Sequence, residues 1–196
     1  MGFFEDGNAA VEDGGTLAAS QVSLGIAPDA SGELTVRGAG SSLTAGVVNV
    51  GGTMGALGTL QTEAAAVVEI AERLVVNEMG AVWVLGDRAI TVGSAVTPVA
   101  GSLVIGPGGE LWGTGSIFAD RMNGGGLDNF GTIYPGRSPG TLTIDGDYFQ
   151  GESGVLVIEI GGTGAGSGHD VLNVLGDITI EGTVVFEFIE GFAPGQ

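Results

Sequence analysis

The sequence predicts an all-β protein whose short strands stack as the coils of a β-solenoid, and three observations support this. Glycine supplies 40 of the 196 residues without a strict every-third spacing, which is typical of tight turns and not of collagen. Short segments alternate large apolar residues with smaller or polar ones, as half-buried strands do. Similar fragments return along the chain, such as SGELTV (31–36), GSLVI (101–105) and GTLTI (140–144), which favours a solenoid over a meandering antiparallel sheet.

The predicted strands are bounded by Gly, Asn, Asp or Ser. In VVEI, for example, Val68 and Ile70 are expected to point inward while Glu69 points outward. We expect coils of roughly 20 residues, a period typical of β-helix repeats. The segments are ELTV (33–36), VVNV (47–50), VVEI (67–70), RLVV (73–76), AVWV (81–84), AITV (89–92), SLVI (102–105), TLTI (141–144), VLVIEI (155–160), VLNV (171–174), DITI (177–180) and TVVFEF (183–188).

Residues 62–76, TEAAAVVEIAERLVV, also fit a helix, since they are rich in alanine and begin with Thr62 as a possible cap. Strands from Val67 onward are preferred. Apolar positions 68, 70, 74 and 76 alternate in two pairs, and β-branched residues dominate.

Charge is strongly one-sided. The chain has 23 Asp and Glu residues against 5 Lys and Arg, and its formal net charge is −18. Nucleic acid is therefore a poor partner, because binding phosphate needs basic patches. An anionic membrane surface is disfavoured for the same reason.

The chain contains no cysteine, so it has neither a disulfide framework nor a thiolate metal site. Its first residues, MGFFEDGNAAVEDGG, lack the basic and apolar regions of a signal peptide. No apolar run is long enough to span a bilayer, so no direct membrane insertion is expected in this segment. Two interpretations stay open: a cytosolic protein, or a piece whose targeting signal lies outside it.

The stretch 136–140, GRSPG, matches the G-x-S-x-G pattern of a hydrolase nucleophile elbow. The chemistry argues against that role for Ser138. The next residue, Pro139, has no backbone N–H to donate to an oxyanion hole, and a strand follows instead of a helix. We expect a rigid corner instead, in which Gly136 and Gly140 take backbone shapes closed to other residues.

His169, which precedes Asp170, has no second histidine for a metal site, and it is expected to orient a loop by hydrogen bonds. Residues 161–170, GGTGAGSGHD, resemble one copy of a glycine-rich calcium repeat, and such repeats act in series. Asp145, Asp147 and Asp177 are possible oxygen ligands. A solvated acidic face is the preferred interpretation, so no metal site is predicted and weak calcium binding stays open.

Trp83 and Trp112 are expected to point outward from their strands, opposite to their apolar neighbours. Such aromatics either stack on sugars or a partner or pack under a neighbouring loop, and the second is preferred. The upstream arginines Arg37, Arg73, Arg88 and Arg121 show no spacing that couples them to the carboxylates.

Residues 131–196 closely resemble the C-terminal passenger region of bacterial autotransporters. The motifs are GTIYPGRSPGTLTIDGDYFQ, GVLVIEIGG and HDVLNVLGDITIEGTVVFEF. Residues 33–43 and 101–117 look like the strand-loop-strand repeats of the same proteins. The resemblance implies a right-handed parallel β-helix, export to the cell surface or outside the cell, and usually a membrane-anchoring barrel further along the chain. Under it, residues 1–130 are repeat coils and residues 131–196 are passenger-type coils that continue the same solenoid.

The expected function is therefore structural and, as an option, adhesive, with a host or cell-surface protein or a glycan as the partner. No catalytic residue, cofactor or metal is predicted, and the oligomeric state stays open. The alternative is a carbohydrate-active β-helix, either a polysaccharide lyase or a glycoside hydrolase. A cluster of carboxylates in a groove would favour that alternative.

Overall fold

The computed structural model describes residues 2–4, 6–63, 65–93, 102–119, 125–189 and 191–193, and every helix or strand in them is a β-strand. The all-β prediction is confirmed, including the preference for a strand over a helix after Val67. The strands are β1 (Gly2–Phe4), β2 (Asp6–Val11), β3 (Thr16–Leu24), β4 (Ser31–Val36), β5 (Ser42–Val50), β6 (Leu57–Thr62), β7 (Val67–Val76), β8 (Gly80–Val92), β9 (Ser102–Ile105), β10 (Glu110–Ala119), β11 (Gly126–Asn129), β12 (Thr132–Tyr134), β13 (Thr141–Asp145), β14 (Asp147–Gln150), β15 (Val155–Ile160), β16 (Val171–Val174), β17 (Ile178–Ile180) and β18 (Thr183–Phe188).

All the strand pairings are parallel, and each joins a strand to its counterpart one coil away, which is the solenoid arrangement. Three faces result. Face A consists of β2, β4, β6, the start of β8, the start of β10, β12, β15 and β18. Face B consists of the start of β3, β5 and β7, the end of β8 and β10, β13 and β16. Face C consists of β1, the end of β3, β5 and β7, β9, β11, β14 and β17.

Several strands bend through a corner and serve two faces. The predicted pair VVEI and RLVV is one continuous strand, β7, and not a hairpin. Its first half pairs with β8 and its second half with β9. The predicted segments AVWV and AITV are likewise joined in β8. A coil can therefore turn a corner without an intervening loop.

The predicted coil length of about 20 residues is too short for much of the chain. Arg37 bonds to Glu12, 25 residues earlier, and Asn77 bonds to Gly51, 26 residues earlier. Asn129 lies against Gln150, 21 residues later, whereas Gly140 and Asp170 are 30 residues apart. The strands keep their register while the loops between them vary in length, as expected when strand stacking provides the stability.

The core is a set of apolar columns that run along the inside of the stack. Each inward residue lies against its counterpart one coil away, as Leu34 does with Leu60 and Val68 with Ile90. The eight residues expected to share this interior are all buried, which confirms the predicted inward stripe. They are Val68, Ile70, Val82, Val84, Ile90, Val92, Leu103 and Ile105.

A column of four tight turns connects face C to face A at successive coils. The turns span residues 27–30, 53–56, 77–80 and 106–109, and each is closed by a backbone hydrogen bond from its fourth to its first residue. The second or third position in each carries a positive φ, including 57° at Met54 and 59° at Met79. Both methionine side chains are exposed, so this corner lies outside the core.

We expect Ile70→Asp to lower the free energy of unfolding by several kcal/mol, because Ile70 is only 1 % exposed and the new carboxylate would have no partner. Glu69→Ala is the matched control, since Glu69 is the adjacent residue and faces solvent. Its cost should stay below about 0.5 kcal/mol. Urea unfolding followed by circular dichroism measures both. Equal costs for the two variants would contradict the inward assignment of Ile70.

Candidate functional site

The corner at residues 135–140 has the geometry of a structural turn. It leaves β12 and enters β13, and Ser138 is exposed with φ of 59° and a cis peptide bond to Pro139. Ser138 lies close enough to Glu159 to lower the pKa of that carboxyl group. Because a strand follows Pro139, the nucleophile elbow is not formed.

The sequence predicted unusual backbone conformations at Gly136 and Gly140. In this corner the residue with a positive φ is Ser138 instead. The glycines are required for space instead. A Cβ added at Gly136 would lie 2.1 Å from Oδ1 of Asp170, and one added at Gly140 would lie 2.8 Å from the Cα of Gly136. The corner is therefore too tight for any side chain at position 136.

Asp170 holds this corner to the adjacent strand and is nearly buried, at 5 % exposed. Its Oδ1 accepts the backbone N–H of Gly140 at 2.8 Å, and its Oδ2 accepts that of Glu159 at 3.0 Å. The neighbouring His169 ring lies 3.3 Å from the carbonyl oxygen of Gly162, which is a contact within the loop that His169 was predicted to orient. The carboxylate thus has a structural role, in which two charge-assisted bonds compensate for its burial.

Glu159 lies beside this buried carboxylate. Burial raises the pKa of Glu159, the charge of Asp170 raises it further, and the hydrogen bond from Ser138 partly opposes the shift. A raised pKa is one property of a general acid. Nothing in the corner supplies the second, activating group, because Ser138 is exposed and Pro139 cannot donate a backbone N–H.

Three aromatic rings form a ladder on the outside of face A. Trp112 pairs with Trp83 in one neighbouring coil and with Tyr134 in the other. The ring centroids are 5.1 Å apart for Trp83 and Trp112 and 3.6 Å apart for Trp112 and Tyr134, and the rings of both pairs are stacked in nearly parallel planes. The indole N–H of Trp112 donates to the carboxylate of Glu110 at 2.8 Å.

The outward orientation of Trp83 and Trp112 is confirmed, whereas the preferred packing under a loop is wrong, because the rings pack on each other. Trp112 has a ring on each of its faces, so only its edge is available to solvent. Sugar stacking needs a free ring face, which makes the middle of the ladder unsuitable for it. Tyr134, which the sequence did not single out, completes the ladder. Its pKa is raised by burial and by the negative charges of Glu110 and Glu187.

A buried polar network lies inside the stack between face C and face A. The hydroxyl of Tyr148 donates to Oε1 of Gln150 at 2.7 Å, and the amide of Asn129 donates to the Tyr148 oxygen at 3.2 Å. The amide of Gln150 also donates to the carbonyls of Gly154 and Thr183. Burial raises the pKa of Tyr148 to about 12, and the bond from Asn129 opposes that rise. Sequence reasoning missed the network, although alternation in DYFQ places Tyr148 and Gln150 on the same inward side.

A groove on face C is lined by the three carboxylates of Asp128, Asp147 and Asp177, with Phe149 beside them. Burial raises the pKa of Asp128. Oδ1 of Asp147 accepts the backbone N–H of Asp177 at 2.9 Å, so one carboxylate holds the two coils together. Of the three aspartates named as possible oxygen ligands, Asp147 and Asp177 meet here, whereas Asp145 lines a different groove on face B. Among the residues described, no three His, Cys, Asp or Glu side chains are grouped closely enough to hold a metal ion.

The described arginines lie apart from this groove. Arg37 forms an ion pair with Glu12 at the surface, and that pair raises its pKa. Arg73 is exposed on β7. The side chain of Arg88 and all of Arg121 fall outside the described residues. None of the three described arginines, including Arg137, lines the carboxylate groove.

The fold defines the chain as a parallel β-solenoid protein. No family model matches the sequence, and no curated protein and no solved structure matches the chain. In the part of the chain that the structure describes, no helix is long and apolar enough to cross a membrane.

We expect Asp170→Asn to lower the free energy of unfolding by about 1–3 kcal/mol, because the new NH₂ group would face a buried backbone N–H donor. Ser138→Ala is the control, since Ser138 lies in the same corner but is exposed, and its cost should stay below about 1 kcal/mol. Chemical denaturation measures both values. Ester hydrolysis that Ser138→Ala abolished would contradict the structural role of this corner.

We expect the advantage of the wild-type chain over Tyr148→Phe to shrink as the pH rises. The raised pKa means that the unfolded chain loses the phenol proton near pH 10, while the folded chain keeps it until about pH 12. Stability from the buried phenol is therefore complete below about pH 10 and is lost between about pH 10 and pH 12, by about 2–3 kcal/mol.

Urea unfolding of both proteins between about pH 8 and pH 12 tests this expectation. Tyr134→Phe is the control, since Tyr134 lies on the outside of face A and has the smaller shift. A gap between wild type and Tyr148→Phe that stayed constant with pH would show that the phenol titrates normally.

Proposed function

We propose that this chain is a structural β-helix segment of a secreted or surface-displayed bacterial passenger protein, which presents an adhesive surface to a host or cell-surface protein or a glycan. The observation that carries the proposal is that the buried polar side chains form hydrogen bonds between neighbouring coils. Asn129, Gln150 and Asp170 each bond a neighbouring coil. No buried side-chain nitrogen or oxygen in the described residues lacks a partner. The polar chemistry of the interior thus maintains a rigid stack.

Two sequence properties bear on the location and the partners of such a stack. The first is the resemblance of residues 131–196 to autotransporter passengers. The second is the net charge of −18, which favours solubility and disfavours nucleic acid as a partner. Fold alone does not define function, so the surface location rests on the resemblance.

The carbohydrate-active alternative is kept because of the face C groove. Its three carboxylates, Asp128, Asp147 and Asp177, lie together with Phe149. Paired carboxylates hydrolyse glycosidic bonds when one is held protonated, and the raised pKa of Asp128 suits that role. The structural proposal is preferred because Asp147 already holds a backbone N–H of the next coil.

Antibodies raised against the folded chain should label intact cells of the bacterium that encodes it. An antibody against a cytoplasmic protein should label the same cells only after permeabilisation. If both antibodies required permeabilisation, the surface role would be refuted. Folded epitopes are preferable because close stacking protects a solenoid from proteases.

A second assay separates the two functions. The purified chain and Asp128→Asn would be incubated with a panel of polysaccharides, and released reducing ends would be measured. The structural role predicts no release by either protein. Cleavage by the wild type that Asp128→Asn removes would establish the carbohydrate-active alternative, and Asp145→Asn, from the separate groove on face B, serves as the matched control.

A further inference from the structure

The corner from face C to face A carries an exposed apolar patch, the corner patch, which consists of Ile26, Met54, Leu57 and Met79. Met54 is 73 % exposed, Leu57 and Met79 are each 47 % exposed, and Ile26 is 36 % exposed. Apart from Val67, these are the large exposed apolar side chains that the described residues contain outside the last described coil. Single apolar residues scattered over a surface need no explanation, whereas a cluster at one corner indicates a contact surface.

Backbone contacts place the members of the corner patch next to each other in successive coils. The carbonyl of Met54 accepts the N–H of Asp29 in the turn before it at 3.1 Å, and the carbonyl of Met79 accepts the N–H of Gly58, which follows Leu57, at 3.3 Å. The turns that contain the two methionines each lie between two other turns of the column. Their exposure is therefore a property of the corner itself.

Both methionines occupy a backbone conformation that methionine does not favour. Their φ angles are 57° and 59°, in the left-handed region that suits glycine, asparagine and aspartate. The other turns of the column have such residues there, with φ of 60° at Asp29 and 74° at Gly108. Neither Met54 nor Met79 is buried in compensation, so the fold gives no reason for an apolar side chain at either position. A flexible thioether does suit a surface that adapts to a partner.

The charged groups beside the corner patch are acidic. Asp29 and Glu78 are exposed in the same column of turns, and the carboxylate of Asp29 lies beside Gly55, where an added Cβ would be 3.0 Å from its Oδ1. None of the four turns contains an arginine or a lysine. A partner that covers the patch therefore needs cationic groups next to its apolar ones. The same acids disfavour a second copy of this chain and an anionic lipid surface.

The spacing of the corner patch favours a helical partner. Ile26, Met54 and Met79 belong to three successive coils, and parallel strands lie about 4.8 Å apart. An α-helix along the column presents the same face about every 5.4 Å, whereas an extended strand does so only about every 6.8 Å. Apolar residues one helical turn apart can therefore each contact one coil, as in other helix-binding grooves.

We propose that the corner patch binds a cationic amphipathic helix of a partner protein. The apolar face of that helix covers Met54, Leu57 and Met79, and its Lys or Arg side chains lie beside Asp29 and Glu78. This inference rests on the proposed adhesive function and deepens it, because it names the chemistry of the partner. A protein is favoured over a glycan, since the corner patch has no aromatic ring on which a sugar could stack.

Fluorescence anisotropy of a labelled synthetic peptide tests the proposal. The probe is a leucine–lysine peptide of about 14 residues, with leucine at i, i+3, i+4 and i+7 so that its helix is amphipathic. A scrambled peptide of the same composition is the control. We expect saturable binding of the probe and at least about tenfold weaker binding of the scrambled peptide. Equal binding of the two peptides would overturn the proposal, because it would show attraction to net charge alone.

Met54→Asn combined with Met79→Asn should weaken binding of the probe by at least about tenfold, since two apolar contacts are lost. Asparagine accepts the left-handed region, so the unfolding midpoint should not fall. Val67→Asn is the matched control, because Val67 is 40 % exposed on β7, away from this corner. Affinity that the double change left at the wild-type value would contradict the proposed site.

The acidic groups give an independent test. Asp29→Asn combined with Glu78→Gln should weaken binding severalfold at low salt and reduce its salt dependence, because salt screens exposed charges. Glu69→Gln combined with Glu72→Gln is the control, since it removes the same charge from exposed positions on β7. Equal weakening by both pairs would assign the attraction to the overall charge of −18 and refute the site.

Other occupants of the corner patch would be recognised with the same variants. Self-association in sedimentation velocity, or flotation with phosphatidylcholine vesicles, would overturn the proposal if Met54→Asn combined with Met79→Asn abolished it. A second copy or a lipid surface would then cover the patch. Absence of probe binding would also refute the site. It would not affect surface display, which the antibody experiment decides separately.

Discussion

Parallel pairing between successive coils is the constraint on which this structure depends. It places each residue directly against its counterpart one coil away, so neighbouring side chains form columns with a common environment. Inward columns must be apolar or fully hydrogen-bonded, since an unpartnered polar group inside is costly. Outward columns bring like groups together, as Trp83, Trp112 and Tyr134 show. Because of these columns, side chains of one kind that are far apart in the sequence lie next to each other in space.

The exceptions to the apolar interior occur where the chain turns. Asn129 and Gln150 lie at the corner from face C to face A, and their amides donate to backbone carbonyls at the starts of β15 and β18 and in the turn before β15. Asp170 does the same for the backbone N–H groups of Gly140 and Glu159. A buried carboxylate is tolerable there because two donors face it. Because the backbone N–H groups of this corner need partners, the GRSPG segment around Ser138 forms a tightly held turn, although its sequence resembles a catalytic motif.

Sequence reasoning succeeded where a property depends on local alternation. The inward set from Val68 to Ile105 is buried as predicted, and Pro139 correctly argued against a nucleophile elbow. It failed where a property depends on the register between coils. The coils differ in length, so the column that joins Trp112 to Tyr134 was not evident from spacing. The partners of Asp170 were hidden for the same reason, because they lie 11 and 30 residues away.

The columns also determine where this molecule can recognise anything. A ring in the middle of a ladder has both faces covered, and inward residues are inaccessible, so a partner meets the outward side chains of the three faces. In the last described coil, apolar residues such as Phe186 are exposed. The turn column differs again, since Met54 and Met79 project from it without a strand beside them. Apart from Val67 on β7, the large apolar side chains that are exposed among the described residues lie in the last described coil or at this corner and beside it.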